Sequence, residues 1–139
     1  MRDVTRTIEN PPLGVKVVLA LRTLYWFGVV HSELRQRPLP EIVERLRAVE
    51  RIRPYRIPAG RLGRGVARLL KIGPFEARCL VMALVHFRLL REQGDEPELV
   101  IGLERISRTR DAHAWLEIDG RDVGPPPGRG AHGGLLRYR

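Results

Sequence analysis

Apolar residues recur at helical spacing through roughly the first two thirds of the chain. Spacings of three and four residues predict four helices, over residues 13–34, 40–51, 62–71 and 75–93. The last of these is apolar on almost every side, which is typical of a central, buried helix. Gly94 follows it as the predicted C-cap. The Pro- and Arg-rich residues 53–61 predict a loop.

Beyond Gly94 the apolar period changes to two, which predicts strands. The first predicted strand covers residues 98–106 and the second covers residues 112–118. Asp119-Gly120 then predicts a two-residue hairpin turn, with a third strand from Arg121. Alternation along the second strand puts two sets of side chains on opposite faces: Ala114, Leu116 and Ile118 against His113, Trp115 and Glu117.

Helices followed by a small antiparallel sheet predict an α+β fold in a single domain, 1–139. Residues 1–72 form its helical N-terminal part, and residues 73–124 hold the central helix and the sheet. Three consecutive prolines and five glycines between Gly124 and Gly134 predict the end of regular structure there. Residues 125–139 are accordingly interpreted as a Pro/Gly-rich C-terminal tail.

The first predicted helix is apolar enough over residues 13–30 to raise the question of a membrane. Lys16 and Arg22 interrupt this stretch, and charges are costly inside a bilayer. We therefore expect a mostly buried helix with little membrane contact. Affinity of one face for a membrane or a partner remains the alternative.

The chain is strongly basic, with 25 Lys and Arg against 16 Asp and Glu and a formal net charge of +9. Nearly all of the excess is arginine, which suits carboxylate and phosphate partners but also accompanies GC-rich coding. The single cysteine excludes an internal disulfide and favours a reducing cytoplasm. The four histidines show no metal-ligand spacing, so neither a metal nor a cofactor is expected.

That single cysteine, Cys79, falls near the start of the predicted central helix, where the helix dipole favours a thiolate. His113 lies on the predicted strand 112–118 and could take or share the thiol proton. Unsatisfied backbone N–H groups at the helix start suit an oxyanion hole. The alternative is that Cys79 is a small buried hydrophobe with no chemistry.

Four segments together resemble the transglutaminase-like leader peptidases of lasso peptide biosynthesis, the B2-type proteins. They are Cys79-Leu80-Val81-Met82-Ala83-Leu84, Leu89-Leu90-Arg91-Glu92-Gln93-Gly94, Glu98-Leu99-Val100-Ile101-Gly102 and Ala112-His113-Ala114-Trp115-Leu116-Glu117-Ile118-Asp119-Gly120. The resemblance covers about residues 75–124 closely. It implies a transglutaminase/papain-like cysteine peptidase core, with Cys79 as nucleophile and His113 as general base. No cofactor is implied.

The resemblance also implies a place in a pathway. The family removes the leader from a ribosomally made precursor peptide that a small leader-recognition protein presents. An ATP-dependent cyclase then closes the macrolactam on the freed core.

The third member of the family's triad is an aspartate about twelve residues after the histidine. Gly124-Pro125-Pro126-Pro127 occupies that neighbourhood here, with Pro125 at the expected position. A turn at Asp119-Gly120 pairs Asp122 with Glu117, ~13 Å along the strand from His113. Asp122 is therefore a poorly placed candidate for the third member.

Trp115, on the same strand face as His113, is a candidate to contact substrate or to wall the site from water. The favoured alternative is that Trp115 only packs in the core or at an interface.

Two other functions fit the residues. The same thiol chemistry serves another amidase or an acyltransferase. A non-catalytic basic module would bind nucleic acid or an acidic protein through the Arg-rich residues 45–68. Aromatic residues make up only 6% of the chain and do not interleave with those arginines, so no nucleic acid is expected. In the peptidase interpretation, Arg45 to Arg68 would dock the precursor or an acidic recognition partner.

Overall fold

The computed structural model describes residues 6–71, 79–103, 112–126 and 133–139. In chain order its elements are β1 (Arg6–Thr7), α1 (Leu13–Gln36), α2 (Leu39–Arg47), β2 (Tyr55–Arg56), α3 (Ala59–Lys71), α4 (Cys79–Glu92), β3 (Glu98–Leu103), β4 (Ala112–Ile118), β5 (Arg121–Gly124) and β6 (Gly133–Tyr138). Helices therefore precede an antiparallel sheet, and the predicted α+β class is confirmed.

Helix α4 occupies the centre of the fold, as its apolar composition predicts. Ten of its residues are buried, including the charged Glu92. The three other helices and strands β3 and β4 all pack against it. Its C-terminal end is closed by Gly94, which adopts a φ of 94°, while the N–H of Asp95 donates to the carbonyl of Leu90 over 2.9 Å. The predicted C-cap is confirmed.

The main sheet has the strand order β5-β4-β3-β6, with every neighbouring pair antiparallel. Leu99, Ala114 and Leu116 share one face and join the main hydrophobic core. On the opposite face, Val100 and Trp115 form a cross-strand pair whose two side chains are also fully buried. The sheet is therefore apolar on both faces near its middle.

The hairpin between β4 and β5 has the predicted turn. Asp119 and Gly120 have φ angles of 51° and 77°, the left-handed pair that a two-residue hairpin requires. Ile118 pairs with Arg121 and Glu117 pairs with Asp122. One residue later the register shifts, and Leu116 pairs with Gly124, which leaves Val123 as a bulge on β5.

Two predicted segments are wrong. Helix α2 ends at Arg47 instead of residue 51, because the Arg91 guanidinium binds the carbonyl of Arg47 and the chain beyond it runs along α4. The predicted loop 53–61 contains β2, which pairs in parallel with β1, and the first turn of α3. Both departures depend on contacts distant in sequence.

The predicted C-terminal tail is also partly wrong, because residues 133–138 form strand β6. This strand pairs with β3, where Ile101 lies opposite Leu136 and Leu99 lies opposite Tyr138. The two glycines at its start weaken the strand signal in the sequence. Pairing with β3 satisfies backbone N–H and C=O groups of both strands. This gain outweighs the low strand propensity of the two glycines.

Helix α1 is not the mostly buried helix that the sequence predicts. Only Leu19, Thr23 and Val30 are buried, because α4 and its neighbours cover one face of α1. By length and composition α1 could cross a membrane, and 17% of its apolar 18-residue window is buried. Its uncovered face carries exposed apolar side chains at Leu13, Val17, Val18, Leu21 and Tyr25.

A buried carboxylate at the end of α4 ties the N-terminal helices to this central element. The Glu92 side chain has no exposed surface, and three guanidinium groups and one indole donate to it. Its donors are Arg22 and Trp26 of α1, Arg53 of the loop after α2, and Arg88 of α4. The Arg22 fork meets both carboxylate oxygens.

The same end of α4 also satisfies backbone groups. The Glu92 carbonyl accepts hydrogen bonds from the N–H groups of Ile52 and Arg53, over 2.9 and 3.3 Å. Burial alone would raise the pKa of the Glu92 carboxyl. The hydrogen bond and charge of Arg22, with those of Arg53 and Arg88, outweigh that effect and hold the pKa below its ordinary value.

A second buried polar group joins α3 to α4. His86 of α4 is fully buried, and its Nε2 lies 2.9 Å from the carbonyl oxygen of Ala59. Desolvation lowers the pKa of His86 to about 4, against the weaker opposing effect of that hydrogen bond. Gly63 makes room for the imidazole, since a Cβ there would lie 2.5 Å from the His86 Cε1 atom.

Replacing Glu92 by Gln should destabilise the fold by about 3–5 kcal/mol, because it leaves the buried Arg53 guanidinium without its counter-charge. Urea denaturation at neutral pH measures the change. Arg37→Gln is the matched control, since Arg37 makes comparatively exposed ion pairs and its loss should cost about 0–1 kcal/mol. Equal effects of the two variants would contradict the role given to Glu92.

Acid should destabilise the fold through His86. In the folded state its pKa is depressed below the unfolded value, so its contribution is complete above about pH 6.5 and is lost as the pH falls toward 4. Between about pH 7.5 and pH 5 the free energy of unfolding should fall by about 2 kcal/mol from this group. His86→Gln should remove that part of the pH dependence, and His31→Gln, an exposed control, should keep it.

Candidate active site

Cys79 is the first described residue of α4 and packs half-buried at the edge of the hydrophobic core. Because residues 72–78 lie outside the described residues, the predicted start of the helix near Phe75 and the proposed oxyanion donors before Cys79 lie there too. Within the described part of α4, Cys79 occupies the N-terminal end. This is the end at which a helix favours a thiolate.

The connection after α4 determines which end of β3 lies toward the N-terminal end of α4. A short loop, residues 93–97, joins α4 to β3, and β3 packs against α4. Helix α4 is about 20 Å long, and β3 returns over about 20 Å. The C-terminal end of β3 therefore lies toward the start of α4.

His113 is placed at that same end of the sheet. It is the second residue of β4 and lies opposite Gly102, near the end of β3. Its side chain is half-buried and its Nε2 atom is shielded from solvent. The fold thus carries Cys79 and His113 on packed elements and at matching ends of them. Because His113 alternates with the core residue Ala114, its side chain leaves β4 on the same face as Trp115, opposite the face of Ala114.

An aromatic and ionic chain continues from His113 along its strand face. The rings of His113 and Trp115 stack with centroids 6.1 Å apart and 29° between their planes. The Trp115 indole N–H donates to the buried carboxylate of Glu117 over 2.9 Å. Arg137 of β6 donates to the other oxygen of Glu117, also over 2.9 Å, and pairs with Glu98. This arrangement fixes the orientation of Trp115, and Trp115 flanks the imidazole.

The prediction that Trp115 contacts substrate is not supported by its position. Its side chain is fully buried and has no surface to offer a ligand. The packing interpretation, with the ring shielding one side of His113, fits the structure instead.

Asp122 lies opposite Glu117, four positions along the strand from His113, as the predicted turn requires. The bulge at Val123 comes after Asp122 and does not bring it closer. Asp122 is exposed, and its carboxylate accepts a hydrogen bond from the N–H of Gly124 over 2.9 Å. At ~13 Å along the strand, it lies too far to orient the imidazole. Pro125 is buried directly after β5.

Sequence reasoning missed the carboxylate that acts on this strand face. Glu117 was placed beside Trp115 and His113 by alternation, but nothing in a single sequence signals its burial or its pairing with Arg137. Arg137 belongs to β6, a strand that the sequence did not predict. Two other acidic residues lie near His113 in the sequence. Asp119 belongs to the hairpin turn, where it has a positive φ, and Asp111 lies outside the described residues.

Comparison with known proteins gives a match to a protein family. The family model described as the transglutaminase-like superfamily matches residues 15–132. Neither the curated proteins nor the solved structures yield a match to the chain. Members of that superfamily are generally catalytic, as cysteine peptidases or transglutaminases. With most of its length matched, the chain belongs to the transglutaminase-like superfamily.

Proposed function

We propose that this protein is a cysteine peptidase that removes the leader from a ribosomally synthesised lasso precursor peptide. The observation that carries the proposal is the position of the single cysteine. It begins the described part of a buried helix, and a half-buried histidine lies at the matching end of the packed sheet. Membership of a superfamily that includes cysteine peptidases supports the same chemistry.

In the acylation step, the Cys79 sulfur attacks the carbonyl carbon of the scissile peptide bond. A C–S bond forms, and the oxygen develops negative charge that backbone N–H groups at a helix start are suited to stabilise. His113, holding the thiol proton, donates it to the departing amine nitrogen as the C–N bond breaks. The products are the free amine fragment and a thioester on Cys79.

In the deacylation step, water attacks the thioester carbon while His113 accepts its proton. The C–S bond breaks, the carboxylic acid fragment leaves, and the thiolate is restored. Trp115 supports both steps as a positioning residue, because its stacked ring limits the rotation of the imidazole. Glu117 holds that ring through its indole N–H.

The partners follow from the same proposal. The precursor peptide is the substrate, a small leader-recognition protein presents it, and an ATP-dependent cyclase acts on the released core. An acyltransferase would share the acylation step and differ in using an amine instead of water to resolve the thioester, whereas another amidase would use water and differ only in the amide that it cleaves. Product masses with and without an added amine separate these outcomes.

Cys79→Ala and His113→Gln should each lower the rate of leader cleavage by about 10²-fold or more, because one removes the nucleophile and the other the proton carrier. The assay combines full-length protein, precursor peptide and the recognition protein, with products followed by mass spectrometry. His31→Gln is the matched histidine control and should cleave at the wild-type rate. Unchanged cleavage by Cys79→Ala would overturn the proposal.

Asp122→Asn should leave cleavage within about twofold of wild type, since the side chain is exposed and distant from His113. The same assay measures it. A loss as large as that of His113→Gln would instead make Asp122 the third member of the site and would refute the strand register described above.

A further inference from the structure

A groove lined by basic and apolar residues lies between α1 and α3. It encloses a cavity of about 490 Å³ whose floor is apolar, formed by Leu19, Ile57, Leu62 and Val66. Four cations line it, and none of its described lining residues carries a carboxylate. Cys79 and His113 are not among its residues, so the groove is a separate feature from the candidate active site.

The cations follow a helical repeat on α3. Arg61, Arg64 and Arg68 are spaced by three and four residues and therefore share one face of the helix, with Lys16 of α1 across the groove. Within the residues that the structure describes, none of these four has an acidic partner. Among the described residues, no carboxylate compensates their charges along this rim.

Other arginines of the predicted docking segment 45–68 are used internally. Arg45 pairs with Glu33, Arg53 is buried against Glu92, and Arg56 pairs with Asp95. Their charges are compensated within the fold, so within this segment the row of arginines on α3 is the stronger candidate for contact with a partner. The overall charge of +9 alone did not reveal this division.

An exposed apolar stripe borders the groove on its α1 side. Leu13, Val17 and Leu21 recur every four residues, are each about half exposed or more, and flank the lining residues Lys16 and Ala20. An apolar stripe beside cations that have no acidic partner among the described residues is complementary to a helix with apolar side chains on one face and carboxylates on the next.

We propose that the α1–α3 groove docks an acidic amphipathic helix of a polypeptide partner. Its apolar side chains enter the groove and cover the α1 stripe. Carboxylates three and four residues apart on its flank pair with Arg61, Arg64 and Arg68, whose spacing they match. The docking requires no chemistry at Cys79, so it stands or falls independently of the proposed peptidase activity.

The test uses a fluorescein-labelled synthetic helix of about 14 residues, with Leu on one face and Glu on the adjoining face. A comparison peptide carries Lys in place of every Glu. Fluorescence anisotropy with the full chain should show binding of the Glu peptide that weakens as salt rises, and no binding of the Lys peptide.

R61E/R64E/R68E should lower affinity for the Glu peptide by about tenfold or more. The matched control R6E/R35E/R121E makes the same change in net charge at exposed arginines elsewhere and should bind like wild type. Val17→Ser with Leu21→Ser should weaken binding without changing charge. Circular dichroism establishes that each variant is folded.

Three results would overturn the proposal. The first is equal affinity of R61E/R64E/R68E and its control for the Glu peptide. The second is failure of the Glu peptide to bind while phosphatidylglycerol vesicles do, which would make this face a membrane surface. The third is a wild-type dimer in sedimentation that Val17→Ser with Leu21→Ser makes monomeric, which would make it a contact between copies of the chain.

Discussion

The fold depends on one buried carboxylate more than on any other polar group. Glu92 closes α4 and gathers guanidinium groups from α1, from the loop after α2 and from α4 itself. A lone ionised carboxylate with no solvent exposure would be prohibitively unstable, so the carboxylate and its donors must be assembled together. This requirement fixes the N-terminal helices around α4. It also fixes the axis on which Cys79 sits, since Glu92 and Cys79 are the two ends of the described helix.

The same helix then organises the candidate site. Because the loop after Gly94 is short, β3 must return along α4, and β4 must begin where β3 finishes. His113, near the start of β4, therefore lies at the end of the sheet that is nearer to the N-terminal end of α4. The strand face of His113 continues through Trp115 to Glu117, which gives the imidazole an immobile aromatic neighbour. Helix length, loop length and the β3–β4 register together account for the end of the sheet at which His113 lies.

Local patterns predicted what depends on local physics. Helix α4, its cap at Gly94, strand β4 and the hairpin turn all follow from residue spacing and from residues that tolerate positive φ. The predictions that are wrong concern elements that depend on contacts between residues far apart in the sequence. Strand β6 forms because its backbone hydrogen bonds with the edge of β3 satisfy polar groups of both strands. Helix α1 looked like a buried helix because composition cannot tell which side other elements cover. In the candidate site, residue types predict the thiol and the imidazole, whereas the burial of Glu117 and its hydrogen bond to Trp115 depend on the sheet register.

The central claim is that Cys79 and His113 act as a pair, and the single thiol of the chain allows a direct measurement. The rate of Cys79 alkylation by iodoacetamide at neutral pH, read from intact protein mass, should fall by about tenfold or more in folded His113→Gln relative to wild type, because the imidazole no longer supports the thiolate. It should be unchanged in His31→Gln. Equal alkylation rates in wild type and His113→Gln would contradict the pairing and leave Cys79 as an ordinary half-buried thiol.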